Sequence, residues 1–314
     1  MQIGFVGNFL VPYSTECERE WSFNKLGHHV VRFQENRTTA QQLRAAIPEL
    51  DMLVYSHTHD PAYVIRGLTE VFEDYKAAGV PTISVHLDRW LWLKRVADVG
   101  KEATWFTEHI FMADASPEAA DLYDELGLNW HYLRPAVVER DCYMAEPDPV
   151  RFPHEVVFTG SRGYHPEYAF RAKLVDWLKE TYGPRFGHYG NDGIRTLRQH
   201  DLNVALATAK VIVGDSCFGG RPNYVSDRYY ETRGRGGFLL HPEVSGVDSH
   251  GVDHYLPAGE VGDGKALTHL KERIDYWLEH DDEREAMRRN GFEWVKNNET
   301  YTQRAQEILD TVFA

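Results

Sequence analysis

The chain has 314 residues, 42% of them hydrophobic and 13% aromatic, so it exceeds the size at which one core usually stops growing and two domains are expected. The formal net charge is −14, and residues 1–150 carry 13 Lys and Arg against 23 Asp and Glu. Such an acidic first half repels polyanions, which disfavours a nucleic-acid partner. No run of 18 apolar residues and no signal pattern occurs, which predicts a cytoplasmic protein without a membrane span.

Strand and helix patterns alternate through the first half of the chain. The spacing predicts helices near 14–26, 39–47 and 62–78. The predicted strands cover 3–7, 29–33, 51–55, 82–86, 109–112 and 131–133. Alternation of this kind implies right-handed crossovers and a parallel sheet covered by helices on both faces.

A proline-rich segment over 146–153 is the predicted linker, because three closely spaced prolines stop regular structure. A second alternating series follows, with an amphipathic helix over 266–280. Its predicted strands cover 155–159, 185–189, 210–214 and 237–240. The sequence thus predicts an α/β protein with two Rossmann-like domains, 1–148 and 149–298, facing a cleft.

Three common nucleotide and hydrolase motifs are missing from the sequence. There is no Gly-x-Gly-x-x-Gly turn, no Gly-x-x-x-x-Gly-Lys-Ser/Thr loop and no Gly-x-Ser-x-Gly elbow. A dinucleotide oxidoreductase, a P-loop hydrolase and a serine α/β-hydrolase are therefore disfavoured.

The stretch 226–241 is the most informative part of the chain. Arg228 and Glu231 are three residues apart and share one helix face. Gly236 and Gly237 follow, and glycines allow backbone to turn sharply and approach a ligand. The pattern favours a buried nucleotide-sugar site, with a surface helix carrying an Arg-Glu pair and a glycine cap as the alternative.

Polar residues also follow several predicted strands, at the edge where open parallel sheets bind ligands. They are Ser14, Thr15 and Glu16, His86 and Asp88, Gly160, Ser161 and Arg162, and Asp215 and Ser216. Helix N-capping explains Asp88 and the Ser14 group equally well at this point.

A histidine-rich segment follows the third predicted strand. His57 and His59 are two apart with Asp60 next, so they suggest a metal site, since alternate residues of a strand point the same way. The hydrolase motif with these ligands has one more residue before the aspartate. A loop that lines the cleft is therefore the favoured interpretation, and no metal site is predicted.

The order of motifs resembles the group 1 glycosyltransferases of the GT-B fold, in particular the spore-maturation-protein-like branch with bacterial and phage members. The likeness is strongest from about 155 onward and looser before it. The landmarks are Phe158-Thr-Gly-Ser161, Tyr164-His-Pro-Glu167, Gly214-Asp-Ser216, Ser226-Asp-Arg-Tyr-Tyr-Glu231, Gly236-Gly-Phe238 and Thr300-Tyr-Thr-Gln-Arg304. The resemblance also implies that a C-terminal helix, 299–314, packs back on the first domain.

The resemblance implies a sugar nucleotide held by the second domain and an acceptor held by the first. Glu231 would bind the ribose hydroxyls, and Arg228 would neutralise the diphosphate with help from the amides of Gly236 and Gly237. The other implied donor residues are Tyr230, Ser161, Arg162, Tyr189, Gly190, Asp215 and Ser216. The acceptor residues are Ser14, Thr15, His57 and His86, with Asp88 or Glu16 as general base.

The implied activity is metal-independent, cofactor-free transfer of a hexosyl group from a nucleotide diphosphate sugar, UDP-sugar favoured, to a hydroxyl. A sugar-nucleotide epimerase and a non-catalytic nucleotide-sugar-binding module are the alternatives. The expected acceptor is a small molecule, glycan or protein, since the acidic first half disfavours a modified DNA base. Many retaining relatives carry glutamate where this chain has Asn223, so the stereochemistry stays open, as does the oligomeric state. A phage-encoded member would act in the host cytoplasm.

Overall fold

A computed structural model describes residues 1–56, 65–163 and 165–314, and the chain divides into two compact units. The first unit comprises Met1–Arg134 and Tyr301–Ala314, and the second comprises Pro135–Thr300. Each unit is built on its own parallel sheet, which confirms the predicted α/β class with two Rossmann-like sheets.

The sheet of the first unit has the strand order β2-β1-β3-β4-β5-β6 within the described residues, and every pair in it is parallel. Its strands are β1 (Gln2–Gly7), β2 (His29–Gln34), β3 (Met52–Ser56), β4 (Thr82–His86), β5 (His109–Met112) and β6 (Trp130–Tyr132). The helices between them are α1 (Thr15–Lys25), α2 (Ala40–Ala46), α3 (Leu68–Ala77) and α4 (Pro117–Glu125). β3 and β4 are buried throughout, as expected for strands covered on both faces.

The sheet of the second unit has the order β11-β10-β9-β7-β8 and is also parallel. Its strands are β7 (Val156–Thr159), β8 (Phe186–Tyr189), β9 (Val211–Val213), β10 (Leu239–Pro242) and β11 (Val252–Tyr255). Its helices are α5 (Phe170–Tyr182), α6 (Gln199–Thr208), α7 (Arg228–Gly234), α8 (Ala258–Val261), α9 (Asp263–Glu279) and α10 (Asp281–Asn298). The sequence pattern did not predict β11, whose two central residues are polar and half-buried.

The C-terminal helix α11 (Tyr301–Val312) belongs to the first unit and packs on α1. The Arg19 guanidinium lies 4.9 Å from the centre of the Tyr301 ring, and Arg304 donates from Nε to the carbonyl of Arg134 at 3.0 Å. A cation over an aromatic face and an apolar stripe through Ile308 and Leu309 hold the helix in place.

The division between the units falls after Arg134, earlier than the boundary at 148 that the prolines suggested. Residues just after it are tied to the second unit. Asp141 accepts from Arg235 at 2.7 Å, and Val137 and Cys142 pack in the same apolar cluster as Tyr230. Prolines mark where regular structure stops, whereas contacts decide where a domain begins.

Candidate functional site

A cavity of about 110 Å³ lies in the second unit at the carboxyl ends of β7 and β8. Its wall consists of residues 159–161 after β7, 189–191 after β8 and 196–198 before α6, with Leu202, Arg228 and Glu231. The carboxyl ends of parallel strands are where open α/β sheets bind ligands. The cavity therefore has the position of a ligand site, and it brings Arg228 and Glu231 together with the ends of two strands.

Two glycines let the strand ends approach each other beside this cavity. A Cβ added to Gly190 would lie 2.0 Å from the carbonyl oxygen of Gly160, and one added to Gly160 would lie 2.9 Å from a terminal nitrogen of Arg228. Gly160 also has φ +109°, which disfavours any side chain. Both positions need glycine because backbone and guanidinium already fill the space.

We expect Gly190→Ala to lower the free energy of unfolding by about 1–3 kcal/mol and to weaken nucleotide binding, because the new methyl group must displace the Gly160 backbone. Urea denaturation and calorimetry with UDP measure the two effects. The control is Gly163→Ala, whose Cβ would meet no described atom within 4 Å. Equal stability of the two variants would contradict this account of the strand ends.

Arg228 is the unusual group of the cavity wall. Its Nε is shielded from solvent and donates no hydrogen bond, and the side chain forms no ion pair with the described part of the chain. Burial lowers the pKa of Arg228, and the nearby Arg171 guanidinium lowers it further, against Asp215, Asp227 and Glu231, which raise it. An arginine cannot lose its proton at neutral pH, so this guanidinium is a half-buried cation without a direct counterion among the described residues.

Glu231 lies on the same short helix and on the same face. Its side chain is 28% exposed, and its carboxylate lies 3.7 Å from Arg235. Arg235 is already held by Asp141 at 2.7 Å and by the side-chain oxygen of Asn203 at 2.8 Å. The carboxylate of Glu231 thus keeps most of its hydrogen-bonding capacity for a ligand in the cavity.

Asp215 and Ser216, which were predicted as donor residues, are not part of the cavity wall. Both are fully buried. Asp215 accepts from the Tyr168 hydroxyl at 2.7 Å and from Arg171 Nε at 2.9 Å, with Arg171 only 2% exposed. Ser216 Oγ lies 3.0 Å from His241 Nε2 and accepts from the Ser226 amide at 3.0 Å. These groups hold the interior of the unit together rather than facing a ligand.

Tyr230, Gly236 and Gly237 are also placed differently from the prediction. Tyr230 is fully buried in an apolar cluster outside the cavity wall. The amide of Gly236 donates to the carbonyl of Arg233 at 2.9 Å, and that of Gly237 donates to the carbonyl of Thr232 at 2.8 Å. Because both amides are already used, they are not available to a diphosphate, and the glycines instead end α7.

Three further donor candidates differ in position. Ser161 and Tyr189 line the cavity, and the Tyr189 hydroxyl lies 2.9 Å from His154 Nδ1. Arg162 does not, since its side chain pairs with Asp176 on the surface and its amide donates to Asp192 at 3.0 Å. A residue that directly follows a strand can thus direct its side chain away from the ligand-binding edge of the sheet.

Sequence reasoning missed one whole side of the cavity. This side consists of Asn191, Thr196, Leu197, Arg198 and Leu202, which follow β8 or begin α6. Only their position in the sequence could have identified them, because they follow β8, the strand that ends at the candidates Tyr189 and Gly190. Their residue types form no recognisable motif.

The acceptor candidates at the carboxyl edge of the first sheet have mixed environments. Ser14 caps α1, accepting from the amide of Cys17 at 3.2 Å, and Thr15 is the first residue of that helix. Glu16 accepts from the Ser56 hydroxyl at 2.8 Å, which joins the start of α1 to the end of β3. The N-capping alternative is therefore correct for Ser14. His57 lies outside the described residues.

His86 and Asp88 follow the same edge but differ in exposure. His86 is 1% exposed and stacks on Trp105 with ring centres 4.1 Å apart, so it is part of an aromatic core. Asp88 is 27% exposed and lies 3.7 Å from Arg95. It begins no helix in the described chain, which leaves its carboxylate at the edge of the sheet.

Within the described ranges, no three His, Cys, Asp or Glu side chains form a group that could hold a metal ion. The segment with His57, His59 and Asp60 lies outside those ranges. Metal independence therefore stays a prediction. In the same described residues, no helix is both long and apolar enough to cross a membrane.

Comparison with known proteins connects this geometry to a family. Residues 171–310, most of the second unit and part of α11, match the family described as glycosyl transferase-like. None of the curated proteins matches the chain by sequence.

Several solved structures are similar over essentially the whole chain. One is an alpha-glucosyltransferase in complex with UDP-glucose and DNA containing an abasic site, with TM-score 0.68, 11% identity and 100% of both chains covered. Another is T4 phage BGT in complex with its UDP-glucose substrate, with TM-score 0.61, 12% identity and 99% of both chains covered. A glycosyltransferase from Rickettsia africae ESF-5 has TM-score 0.62 and 10% identity over 99% of this chain and 97% of its own.

The protein has the two-domain fold of the GT-B glycosyltransferases. Its residues 171–310 match the glycosyl transferase-like family, in agreement with the resemblance seen in the sequence. The family match includes Arg228 and Glu231, the two charged groups that the cavity brings together.

Proposed function

We propose that this protein transfers a hexosyl group from a nucleotide diphosphate sugar, with a UDP-sugar favoured, to an acceptor hydroxyl, and that it belongs to the spore-maturation-protein-like branch. The observation that carries the proposal is the half-buried Arg228 guanidinium in the cavity wall, whose Nε is shielded from solvent and which has no direct counterion among the described residues. A partly desolvated cation is stabilised when an anion joins it, and the diphosphate of the donor is such an anion. Two structurally similar proteins are complexes with UDP-glucose, which favours that donor class.

The arrangement of the cavity suits the two ends of the donor nucleotide. Glu231 lies three residues from Arg228 on the same helix, so a carboxylate and a guanidinium face one ligand. A carboxylate accepts from both hydroxyls of a ribose, and a guanidinium binds phosphate oxygens. Tyr189, Leu197 and Leu202 provide the apolar part of the wall beside which a base can pack.

In the proposed reaction, the bond between the anomeric carbon and the diphosphate oxygen breaks while the acceptor oxygen bonds to that carbon. Negative charge develops on the departing diphosphate, and Arg228 stabilises it without a metal. If the configuration inverts, a carboxylate at the edge of the first sheet takes the acceptor proton, with Asp88 or Glu16 as the candidate. If it is retained, the departing diphosphate oxygen takes the acceptor proton, and these carboxylates orient the acceptor only.

The direct test is thermal-shift screening with a panel of nucleotide diphosphate sugars, followed by an assay for released nucleotide diphosphate. Transfer requires release that depends on an acceptor, and we expect a small molecule, glycan or protein acceptor rather than a polyanion. Interconversion of the donor sugar without an acceptor identifies an epimerase instead. Binding without any turnover identifies a nucleotide-sugar-binding module.

Glu231→Gln is expected to weaken donor binding by about 1–3 kcal/mol, because the charged hydrogen bonds to the ribose become neutral ones. Calorimetry with UDP measures the change. Glu293→Gln removes an exposed carboxylate from α10 of the same unit, outside the cavity wall, and is expected to change nothing. Equal UDP affinity of the two variants would remove Glu231 from the site.

Turnover is expected to continue in excess chelator, because Arg228 supplies the charge that a cation otherwise provides. The measurement is acceptor-dependent release of nucleotide diphosphate with and without EDTA. Complete loss in chelator, restored by manganese or zinc, would contradict this and direct attention to His57, His59 and Asp60.

A further inference from the structure

The first unit contains a larger cavity, of about 450 Å³, that the proposed reaction does not use. Thr82 at the start of β4 and Glu108 just before β5 line it, together with one face of α3. It therefore lies at the amino ends of these strands, whereas Asp88 follows the carboxyl end of β4. Its volume is in the range of about 300–1,000 Å³ that small-molecule sites occupy.

The cavity has an apolar lining that continues to the surface. Phe72 and Trp105 form its buried part, with 3% and 2% of their surface exposed. Phe106 and Leu126 also line it, yet they are 52% and 45% exposed. Large apolar side chains that are exposed beside a cavity are typical of a binding surface. An aromatic ring exposed in this way can pack against the C–H face of a flat ligand.

The polar lining carries both signs of charge. Glu73 and Lys76 lie three residues apart on α3, and Glu108 comes from the chain before β5. None of these three side chains forms an ion pair or a side-chain hydrogen bond with the described part of the chain. The Asn129 amide nitrogen donates to the Glu108 carbonyl at 2.7 Å, which fixes that side of the cavity.

This mixture restricts the chemistry of the ligand. Glu73, Lys76 and Glu108 are exposed, and they repel an anion through the two carboxylates and a cation through the ammonium, so no charged ligand meets a lining of opposite sign only. Hydroxyl groups donate to carboxylates and accept from an ammonium, and therefore satisfy all three. A neutral polyhydroxylated ring with an apolar C–H face matches both the polar and the aromatic lining.

We infer that this cavity is a second, non-catalytic site that binds a neutral saccharide. The inference stands on the lining of the first unit and does not depend on the donor cavity in the second unit. A saccharide bound at the amino ends of β4 and β5 does not occupy the carboxyl edge of the sheet, which remains accessible for the transfer reaction.

Saturation-transfer NMR on the intact protein, with maltose, cellobiose and lactose as probes, tests the inference. At least one of them is expected to bind in the millimolar range. Phe106→Ala is expected to weaken that binding by about tenfold, because the exposed ring supplies the packing face. Phe313→Ala, which removes another half-exposed phenylalanine near the C terminus, is the matched control and is expected to bind normally.

Competition among glucose, glucuronate and glucosamine tests the charge argument, and the neutral sugar is expected to be preferred. Absence of binding by all three disaccharides, or equal binding by Phe106→Ala and Phe313→Ala, would overturn the inference. UDP calorimetry on the same variants tests the donor cavity separately and is expected to be unchanged. Loss of saccharide binding in Asp88→Asn but not in Phe106→Ala would assign the saccharide to the acceptor edge instead.

Discussion

Arg228→Met is expected to lower affinity for UDP and UDP-sugars by about 100-fold, since one buried charged contact to a diphosphate contributes about 3 kcal/mol. The same change is expected to leave the free energy of unfolding of the unliganded protein unchanged or raised by about 1 kcal/mol. The physical reason is that the guanidinium has no direct counterion among the described residues, so methionine removes an unfavourable, partly desolvated charge. Calorimetry and urea denaturation measure the two effects.

Arg171→Met is the matched control for this prediction. Arg171 is a fully buried arginine of the second unit, and it is paired with Asp215 at 2.9 Å. Its removal leaves a buried carboxylate that has, among the described residues, only the Tyr168 hydroxyl as a side-chain donor, and a loss of about 3–5 kcal/mol is expected. If Arg228→Met were destabilised to the same extent, the guanidinium would have a structural role, and the proposed diphosphate contact would lose its support.

Part of this site could be predicted from the sequence. Arg228 and Glu231 were found from their three-residue spacing, and helical geometry places such residues on one face wherever the helix lies. The parallel strands were predicted for the same reason, because buried strands follow a local pattern of apolar residues. Local patterns are visible in one sequence because each residue's neighbours determine them.

Burial and the direction of a side chain are not determined by near neighbours in the chain, so one sequence does not reveal them. Asp215 and Gly236 follow the expected signals, a polar residue after a strand and a glycine after a charged turn. Asp215 nevertheless points inward to Arg171, and the amide of Gly236 is used by its own helix end. Which way a side chain points after a strand depends on distant residues that pack there, such as Tyr168. Contacts between residues that are far apart in the chain cannot be read from one sequence.

Asp215→Ala is expected to lower the free energy of unfolding by about 3–5 kcal/mol, because it leaves the Arg171 guanidinium buried without its carboxylate. It also removes a negative charge that stabilises the charged form of Arg228. Asp176→Ala breaks a surface pair with Arg162, whose side chains are 51% and 43% exposed, and is expected to cost less than about 1 kcal/mol. Urea denaturation of both variants makes the comparison. UDP affinity of the folded Asp215→Ala protein is expected to change little, since Asp215 lies outside the cavity wall.

A double variant keeps this prediction testable if Asp215→Ala does not fold. Arg171→Met with Asp215→Leu removes both charges and fills their volume, and it is expected to recover part of the lost stability, since two paired charges are replaced by apolar contacts. Normal stability of Asp215→Ala together with lost UDP binding would instead return Asp215 to the donor site. The carboxylate would then bind the ligand directly, and the pairing with Arg171 would only position it.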